Sequence, residues 1–258
     1  MNQRGYLTPL ARGIATTALL ASSLGAQAAV ITFDDPVLTG SAAPGVWYTD
    51  RYAPAGFGNG TLAGENVLKQ SISAADGASS RPSAFAGAFY NTQGRKLDAP
   101  AATTRLSIDL WLDSSWTDSS RRYAGLWGTA FGDDGAVSAY PIVEYGMGEL
   151  RLYNTITGAW IGSGVTPVLG DWVTLGIELV DGDWVYSIDG AQVGTSDGGA
   201  SARIGNVILQ GYNTTAGVGY DIHWDNLRFD GAAAVPAPSG LALAGLGLLL
   251  LGARRRRA

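Results

Sequence analysis

Residues 170–195, GDWVTLGIELVDGDWVYSIDGAQVGT, show the alternation and the turns that specify antiparallel strands. Every second residue over 173–179 is apolar, which predicts a strand with one buried face. The Asp-Gly pairs at 181–182 and 189–190 are typical of tight turns between antiparallel strands. The stretch therefore predicts a three-stranded meander.

Short alternating segments of the same kind recur through the rest of the body, separated by Gly, Asp, Asn and Ser turns. Glycine accounts for 37 of the 258 residues, and no segment has convincing helical periodicity. We therefore expect an all-β domain over residues 29–231, a two-sheet antiparallel jelly-roll sandwich. An N-terminal signal helix and a short C-terminal transmembrane helix are expected on either side of it.

Residues 1–28 have the parts of a secretory signal peptide, with an apolar run over 13–24. Its positive charges and its small-x-small cleavage site come from Arg4, Arg12, Ala26 and Ala28. We expect cleavage before Ala29 and export of the remainder.

The chain ends with VPAPSGLALAGLGLLLLGARRRRA, residues 235–258. Residues 240–253 are predicted to form a transmembrane helix. The apolar segment is about 15 residues long, shorter than the roughly 20 that span a bilayer comfortably. The terminal arginines would stay on the cytoplasmic side and leave the body outside.

This tail, residues 232–258, resembles the PEP-CTERM sorting signal, in which a Pro-Glu-Pro triplet precedes a short transmembrane helix and terminal arginines. The matching residues are Pro236, Pro238, Arg254, Arg255, Arg256 and Arg257. Ala237 stands where the family has Glu. The resemblance implies a Gram-negative bacterium, an inner-membrane precursor and an exosortase-type processing enzyme as partner. It also implies release or attachment at the cell surface or in the extracellular matrix.

Charge and cysteine content exclude several functions. Six of the 17 basic residues lie in the two terminal segments and none of the 22 acids does, so the body has 22 acids against 11 bases. Such an acidic excess argues against nucleic acid as a partner, because phosphates require a basic face. The absence of cysteine excludes disulfides, a cysteine nucleophile and thiolate metal sites.

Residues 170–195 resemble the central strands of concanavalin A-like lectin and laminin G-like domains, where a Trp-led strand is followed by a strand ending in an Asp-Gly or Asn-Gly turn. The resemblance implies a two-sheet jelly roll from a superfamily that holds sugar-binding modules, adhesion domains and glycosidases. Because function is grafted onto such scaffolds, the resemblance assigns no activity by itself.

Four tryptophans are the candidates for carbohydrate binding, because an exposed indole can stack on the apolar face of a sugar ring. They are Trp111, Trp116, Trp127 and Trp160. Trp116 is the strongest candidate, since it lies in the polar segment DSSWTDSSRR, residues 113–122, where no core is expected to cover it. The alternative is that most of these rings pack in the core or at its edge.

The segments VITFDD, residues 30–35, and HWDNLRFD, residues 223–230, begin and end the body and are expected to be neighbouring strands. Their oxygen atoms would then offer the ligands that a structural calcium ion takes. The proposed ligands are Asp34, Asp35, Asp225 and Asn226. The alternative is that these residues are strand-end acids that face solvent.

Glu144 and Glu149 are the candidates for a catalytic pair, because a hairpin turning at residues 146–148 could set them across from each other. The Glu-x-Asp-x-x-Glu motif of the superfamily's glucanase branch is absent. Leucines alternate with Glu149 and Arg151, a pattern that instead indicates an exposed polar face. His223, the single histidine, has no Gly-x-Ser-x-Gly nucleophile motif to serve.

The leading expectation is therefore a non-catalytic, exported β-sandwich protein that binds polysaccharide. The alternatives are a glycoside hydrolase or lyase on the same fold, and a structural adhesion or matrix protein without a glycan ligand. No cofactor is expected beyond the structural calcium.

Overall fold

The computed structural model describes residues 29–74, 92–117, 122–212 and 218–231. The predicted signal peptide and sorting tail lie outside these residues. The described residues form 17 strands. The strands are β1 (Ala29–Ile31), β2 (Thr39–Gly40), β3 (Trp47–Thr49), β4 (Gly56–Leu62), β5 (Glu65–Ile72), β6 (Thr92–Asp98), β7 (Arg105–Leu112), β8 (Tyr123–Phe131), β9 (Val137–Ala139), β10 (Ile142–Gly146), β11 (Glu149–Asn154), β12 (Ala159–Gly162), β13 (Asp171–Val180), β14 (Asp183–Ile188), β15 (Ala191–Asp197), β16 (Arg203–Tyr212) and β17 (Tyr220–Asp230).

The strands form two sheets that pack face to face. Sheet 1 has the order β15-β14-β13-β7-β17-β5-β4, with β1 beside β17. Sheet 2 has the order β12-β11-β10-β8-β16-β6-β3-β2, with β9 beside β8. The pairings are antiparallel except for the short parallel contact of β2 with β3. The prediction of an all-β, two-sheet jelly-roll sandwich is confirmed.

The predicted meander is confirmed as β13, β14 and β15, which pair in sequence order. Both Asp-Gly pairs form the turns, and all four residues have positive φ: Asp181 51°, Gly182 89°, Asp189 51° and Gly190 76°. Two consecutive positive φ values are the mark of a type I′ turn, whose twist matches that of the flanking strands. The apolar residues that alternate along β13 face the core.

The core lies between the sheets and is filled by large aromatic and aliphatic side chains. Trp184 and Trp224 are fully buried. The indole Nε1 of Trp224 donates to the side-chain oxygen of Gln70 at 3.1 Å, so this buried polar atom is satisfied. Trp184 and Trp224 therefore hold the sandwich together and are not available to a ligand.

The first and last strands of the described body lie side by side, as the sequence predicts. Ala29 pairs with Phe229 and Ile31 pairs with Leu227 in an antiparallel register. This pairing closes the domain, because the two ends of the body share one sheet.

Within the described ranges, we find no helix with the length and apolar character needed to cross a membrane.

Candidate active site

The outer face of sheet 2, opposite the core, carries a row of polar residues and glycines that runs across the strands. Direct register partners on β6, β16, β8, β10, β11 and β12 make up this row. Its members, the polar row, are Gly94, Gln210, Gly125, Glu144, Arg151 and Gly162. The residues next to them along each strand, such as Leu126 and Val143, point into the core.

Larger side chains flank the polar row on both sides. One flank, the apolar row, comprises Ile208, Trp127, Ile142, Tyr153 and Trp160. The other flank holds Tyr212 and Tyr123, whose ring centroids are 5.2 Å apart. Because three of the six members of the polar row are glycines, the surface between the flanks is hollow.

This hollow is a cleft of about 320 Å³. Its lining residues are Thr92, Tyr123, Trp127, Ile142, Glu144, Arg151, Tyr153, Gly158, Trp160, Gln210, Gly211 and Tyr212. Aromatic rings thus supply most of the walls, and a few polar groups supply the floor, which is the composition of a small-molecule or glycan site.

Glu144 is the carboxylate of the cleft, and it is buried. The guanidinium of Arg151 donates from Nε at 2.9 Å and from NH2 at 2.6 Å, both to Oε1 of Glu144. Burial raises the pKa of Glu144 to about 7, while the charge and hydrogen bonds of Arg151 oppose that rise. The carboxyl group is therefore able to exchange a proton near neutral pH.

Aromatic rings hold Arg151 in place. Its guanidinium carbon lies 4.4 Å from the ring centroid of Trp160 and 5.5 Å from that of Tyr123. Tyr153 packs against Trp160 with ring centroids 5.2 Å apart. Cation–π contacts on two sides restrict the guanidinium, and through it the Oε1 atom of Glu144.

Two of the four predicted sugar-stacking tryptophans, Trp127 and Trp160, line the cleft. Trp160 is 39% exposed, so part of its ring is available for stacking. Trp111 lies instead on sheet 1, packed edge-on against Trp172 at 5.7 Å between ring centroids.

Trp116 is buried, and the expectation that it is exposed is wrong. Only 2% of its surface is accessible. Its ring packs against Tyr145 at 5.4 Å and Tyr220 at 5.8 Å between centroids, and its carbonyl accepts a 2.6 Å hydrogen bond from the Tyr145 hydroxyl. Trp116 therefore belongs to the core cluster, although the sequence around it is polar.

Glu144 and Glu149 lie on the same face of neighbouring strands, but they are not directly opposite. Glu144 faces Arg151, and Glu149 faces Gly146, so the two acids are diagonal neighbours. The carboxylate of Glu149 leans over Gly162 on the far side of β11. The neighbouring leucines of β11 are buried, which confirms the alternation seen in the sequence.

The side chains of three of the four proposed calcium ligands, Asp34, Asp225 and Asn226, make hydrogen bonds within the protein. Asp34 accepts hydrogen bonds from Thr32 and Asn66, and the amide of Asn226 donates to Asp109 at 2.9 Å. Burial raises the pKa of Asp225, and the nearby charges of Asp109 and Asp34 raise it further. Among the described residues no group of three or more His, Cys, Asp or Glu is arranged to hold a metal ion. Calcium binding stays a prediction.

His223 lies on β17 in sheet 1, away from the cleft. Burial lowers the pKa of its imidazole. His223 is therefore not among the described residues that line the cleft.

The sequence interpretation missed Gln210, which lies in the polar row between Gly94 and Gly125. The signal that could have found it is a polar residue inside the apolar segment NVILQGY, residues 206–212. A long polar side chain at the centre of a buried strand usually has a specific partner.

No protein-family model matches the chain, and no curated protein matches it. Solved structures do resemble it. An endo-β-galactosidase from Clostridium perfringens that releases GlcNAcα1-4Gal has a TM-score of 0.54 at 10% identity, over 83% of this chain and 64% of that one. A glycoside hydrolase family 16 endo-glucanase from Bacteroides ovatus has a TM-score of 0.53 at 10% identity, over 78% of this chain and 98% of that one. SCLam, a non-specific endo-β-1,3(4)-glucanase of the same family, has a TM-score of 0.50 at 14% identity, over 78% and 88%.

At such identities the likeness shows the fold. The comparisons nevertheless contradict the sequence-based expectation of a non-catalytic protein, because these three similar structures are named as glycan-cleaving enzymes. They support the alternative, a glycoside hydrolase or lyase on the same fold, better than a binding protein.

Proposed function

We propose that the protein is a glycoside hydrolase that cleaves a polysaccharide in the cleft of sheet 2, with Glu144 as the proton donor. The observation that carries the proposal is a buried carboxyl group on the floor of an aromatic cleft, with its pKa raised to about 7. A general acid is most effective when its pKa lies near the working pH, because it is then protonated often enough to donate and acidic enough to do so.

The hydrogen bonds of Glu144 leave one oxygen for the substrate. Arg151 donates to Oε1 alone, while Oε2 faces Gly125, where an added Cβ would lie 3.3 Å from it. In hydrolysis the proton of the Glu144 carboxyl would pass to the glycosidic oxygen as the bond from that oxygen to the sugar carbon breaks. The positive charge of Arg151 would then stabilise the carboxylate that remains.

The sugar carbon must also receive a hydroxyl from water, and the proton that the water loses needs a base. Glu149 is the candidate for this role, because it lies on the same face as Glu144, on the neighbouring strand. A pair of carboxyl groups on either side of the scissile bond is the arrangement that glycoside hydrolysis requires. For Glu149 to act, its carboxylate must swing from its position over Gly162 toward the cleft.

The charge of the chain favours a neutral polysaccharide. The charged residues among the described lining of the cleft are Glu144 and Arg151, which neutralise each other only while Glu144 is ionised. Arg51, whose guanidinium carbon is 5.3 Å from the Trp127 ring centroid, is paired with Asp50. The acidic excess of the chain would repel a uronic acid or a sulfated sugar, so we expect a neutral substrate.

The test is a hydrolysis screen of the mature domain against neutral and acidic polysaccharides, with release of reducing ends as the readout. We expect cleavage of at least one neutral polysaccharide and none by Glu144→Gln. A screen without any hydrolysis, or a Glu144→Gln protein that is fully active, would contradict the proposal.

We also propose that the protein is exported and sorted through its tail, becoming associated with the cell surface or the extracellular matrix. The signal-like residues 1–28 and the PEP-CTERM-like residues 232–258 support this. Such a location would bring the cleft to extracellular polysaccharide, which is the substrate class that we propose.

A further inference from the structure

We propose that Gln210 is a positioning residue that binds hydroxyl groups of the sugar unit next to the one cleaved. This inference rests on the proposed function of the cleft and extends it to a residue that plays no part in the chemistry.

The first observation is that the Gln210 amide has no partner. Its side chain is 3% exposed, and neither Nε2 nor Oε1 makes a hydrogen bond within the described part of the chain. A buried amide without partners is costly, because it loses its hydrogen bonds to water and gains none in return. A group of this kind in a cleft wall requires an explanation, and the binding of a ligand is one that the surroundings of Gln210 support.

The second observation is that both neighbours of Gln210 across the sheet are glycines. A Cβ on Gly94 would lie 2.7 Å from Cβ of Gln210, and a Cβ on Gly125 would lie 2.8 Å from Nε1 of Trp127. Side chains at either position would cover the amide or displace the wall beside it. The glycines therefore keep the floor open on both sides of Gln210.

The position of Gln210 defines its role. It is separated from Glu144 by one strand, β8, so the two backbones are about 10 Å apart at the usual spacing of strands. That backbone separation places the two side chains next to each other along the polar row. If a polysaccharide chain lies along the polar row, across the strands, Gln210 would contact the sugar next to the one at which Glu144 acts.

The chemistry of the amide selects the ligand. A primary amide presents a donor and an acceptor side by side, which complements a pair of adjacent sugar hydroxyls, one accepting and one donating. The flanking tyrosine, Tyr212, and the apolar row provide the surfaces on which the ring would lie. Replacement of the amide by an apolar group of similar shape should remove this recognition and leave the fold intact.

The experiment measures binding in an inactive background. Glu144→Gln protein, with and without Gln210→Met, is titrated calorimetrically with cello-, laminari- and galacto-oligosaccharides. We expect at least one of them to bind, and Gln210→Met to weaken that binding about tenfold, the value of about one good hydrogen bond. The melting temperature of Gln210→Met should be equal or higher, since an unsatisfied amide is removed. Gln192→Met, on exposed β15 of sheet 1, is the matched control and should bind like the parent.

In the active enzyme Gln210→Met should raise KM about tenfold and change kcat little, because the residue binds a sugar remote from the reacting bond. Should Gln210→Met fail to fold, the side-chain NH2 resonance of Gln210 in the Glu144→Gln parent is followed by NMR, and it should shift when the oligosaccharide is added. Unchanged affinity, an unshifted resonance, or no binding of any of the three sugars overturns the inference. Gln210-dependent binding without hydrolysis by the unmutated protein would sustain it and refute the hydrolase proposal.

Discussion

Glu144 is subject to two opposing influences on its charge. Burial favours the neutral acid, whereas Arg151 favours the carboxylate. Because burial is the larger influence, the group titrates about where a general acid should. A carboxyl group held for stability alone would gain nothing from this balance, since its partial neutralisation weakens the ion pair with Arg151.

The pH dependence of activity should follow the protonation of Glu144. Because the protonated form donates, activity should be lost as the pH rises through about 7. Glu144→Gln should lower kcat by about 100-fold or more, the usual contribution of a positioned acid. Steady-state rates across the pH range provide the measurement, with Glu178→Gln on sheet 1 as the control. An activity that persists well above that pH would argue against Glu144 as the donor.

The titration of Glu144 should also make the unfolding free energy depend on pH. The pKa of Glu144 in the folded protein, about 7, is above its ordinary value of 4.5, so the folded state holds its proton over that interval while the unfolded state releases it. The stabilising contribution is therefore complete below the ordinary pKa and lost as the pH rises through about 7. The unfolding free energy, measured with urea at a series of pH values, should fall more steeply with rising pH for the parent than for Glu144→Gln. Identical pH profiles would refute it.

At the scale of elements, β8 is the strand on which the site depends. It lies at the centre of sheet 2 between β10 and β16, and it alternates core residues with residues of the cleft. Gly125 occupies its middle, between Gln210 and Glu144. The absence of a side chain there leaves room for both the Oε2 atom of Glu144 and the edge of Trp127.

Gly125→Ala should damage the site more than the fold. Its Cβ would lie 2.8 Å from Nε1 of Trp127 and 3.3 Å from Oε2 of Glu144, so one of these must move. We expect a loss of about 1–3 kcal/mol in unfolding free energy from overpacking, with a large loss of hydrolysis. Gly58→Ala, where an added Cβ meets nothing within 4 Å, is the control and should leave hydrolysis unchanged. Full activity of Gly125→Ala would contradict the proposal that the site needs the open space at Gly125.

Tyr220 connects the two sheets. From β17 in sheet 1, its hydroxyl donates to the carbonyl of Tyr123 at 2.8 Å and accepts from the amide of Tyr212 at 3.1 Å. Tyr220→Phe should therefore lower the unfolding free energy by about 1–3 kcal/mol, because buried backbone groups lose a partner. Chemical denaturation measures it, and the exposed Tyr140→Phe should show no change. Equal stability of both variants would refute this bridge between the sheets.

For the whole molecule, the ends of the chain are expected to decide where the cleft operates. A sorting tail that is cut releases the body, and one that is not cut keeps it at the membrane. Ala237 stands at the position where the resembling family has Glu. The chain therefore offers a single position at which the efficiency of processing can be tested.

Ala237→Glu should increase the fraction of processed, released protein in a host that contains an exosortase-type enzyme, because it restores the Pro-Glu-Pro triplet that the family carries. Fractionation followed by immunoblotting measures released and membrane-bound protein. Ala234→Glu, outside the triplet, is the control for added charge. If Ala237→Glu leaves the two fractions unchanged, the exosortase-type enzyme does not recognise the tail in the way that the resemblance implies.

The sequence by itself determined the meander of β13, β14 and β15, the position of its two Asp-Gly turns and the class of fold. These features depend on local alternation and on Asp-Gly pairs that favour positive φ, so neighbours along the chain suffice to specify them. The sequence also identified Glu144, Trp127 and Trp160 as candidate site residues, because their residue types are suited to glycan chemistry.

Only the tertiary structure decided which of these residues meet. Four neighbouring strands of sheet 2 that do not follow one another in the sequence supply Gly94, Gln210, Gly125 and Glu144. The register between those strands places these residues in one row. A shift of one residue in any pairing would turn its side chain into the core. Trp116 shows the same limit, because its side chain is buried although the composition of the sequence around it predicts exposure. Strand identity is a local property, whereas register and burial are set by the packing of the whole sandwich.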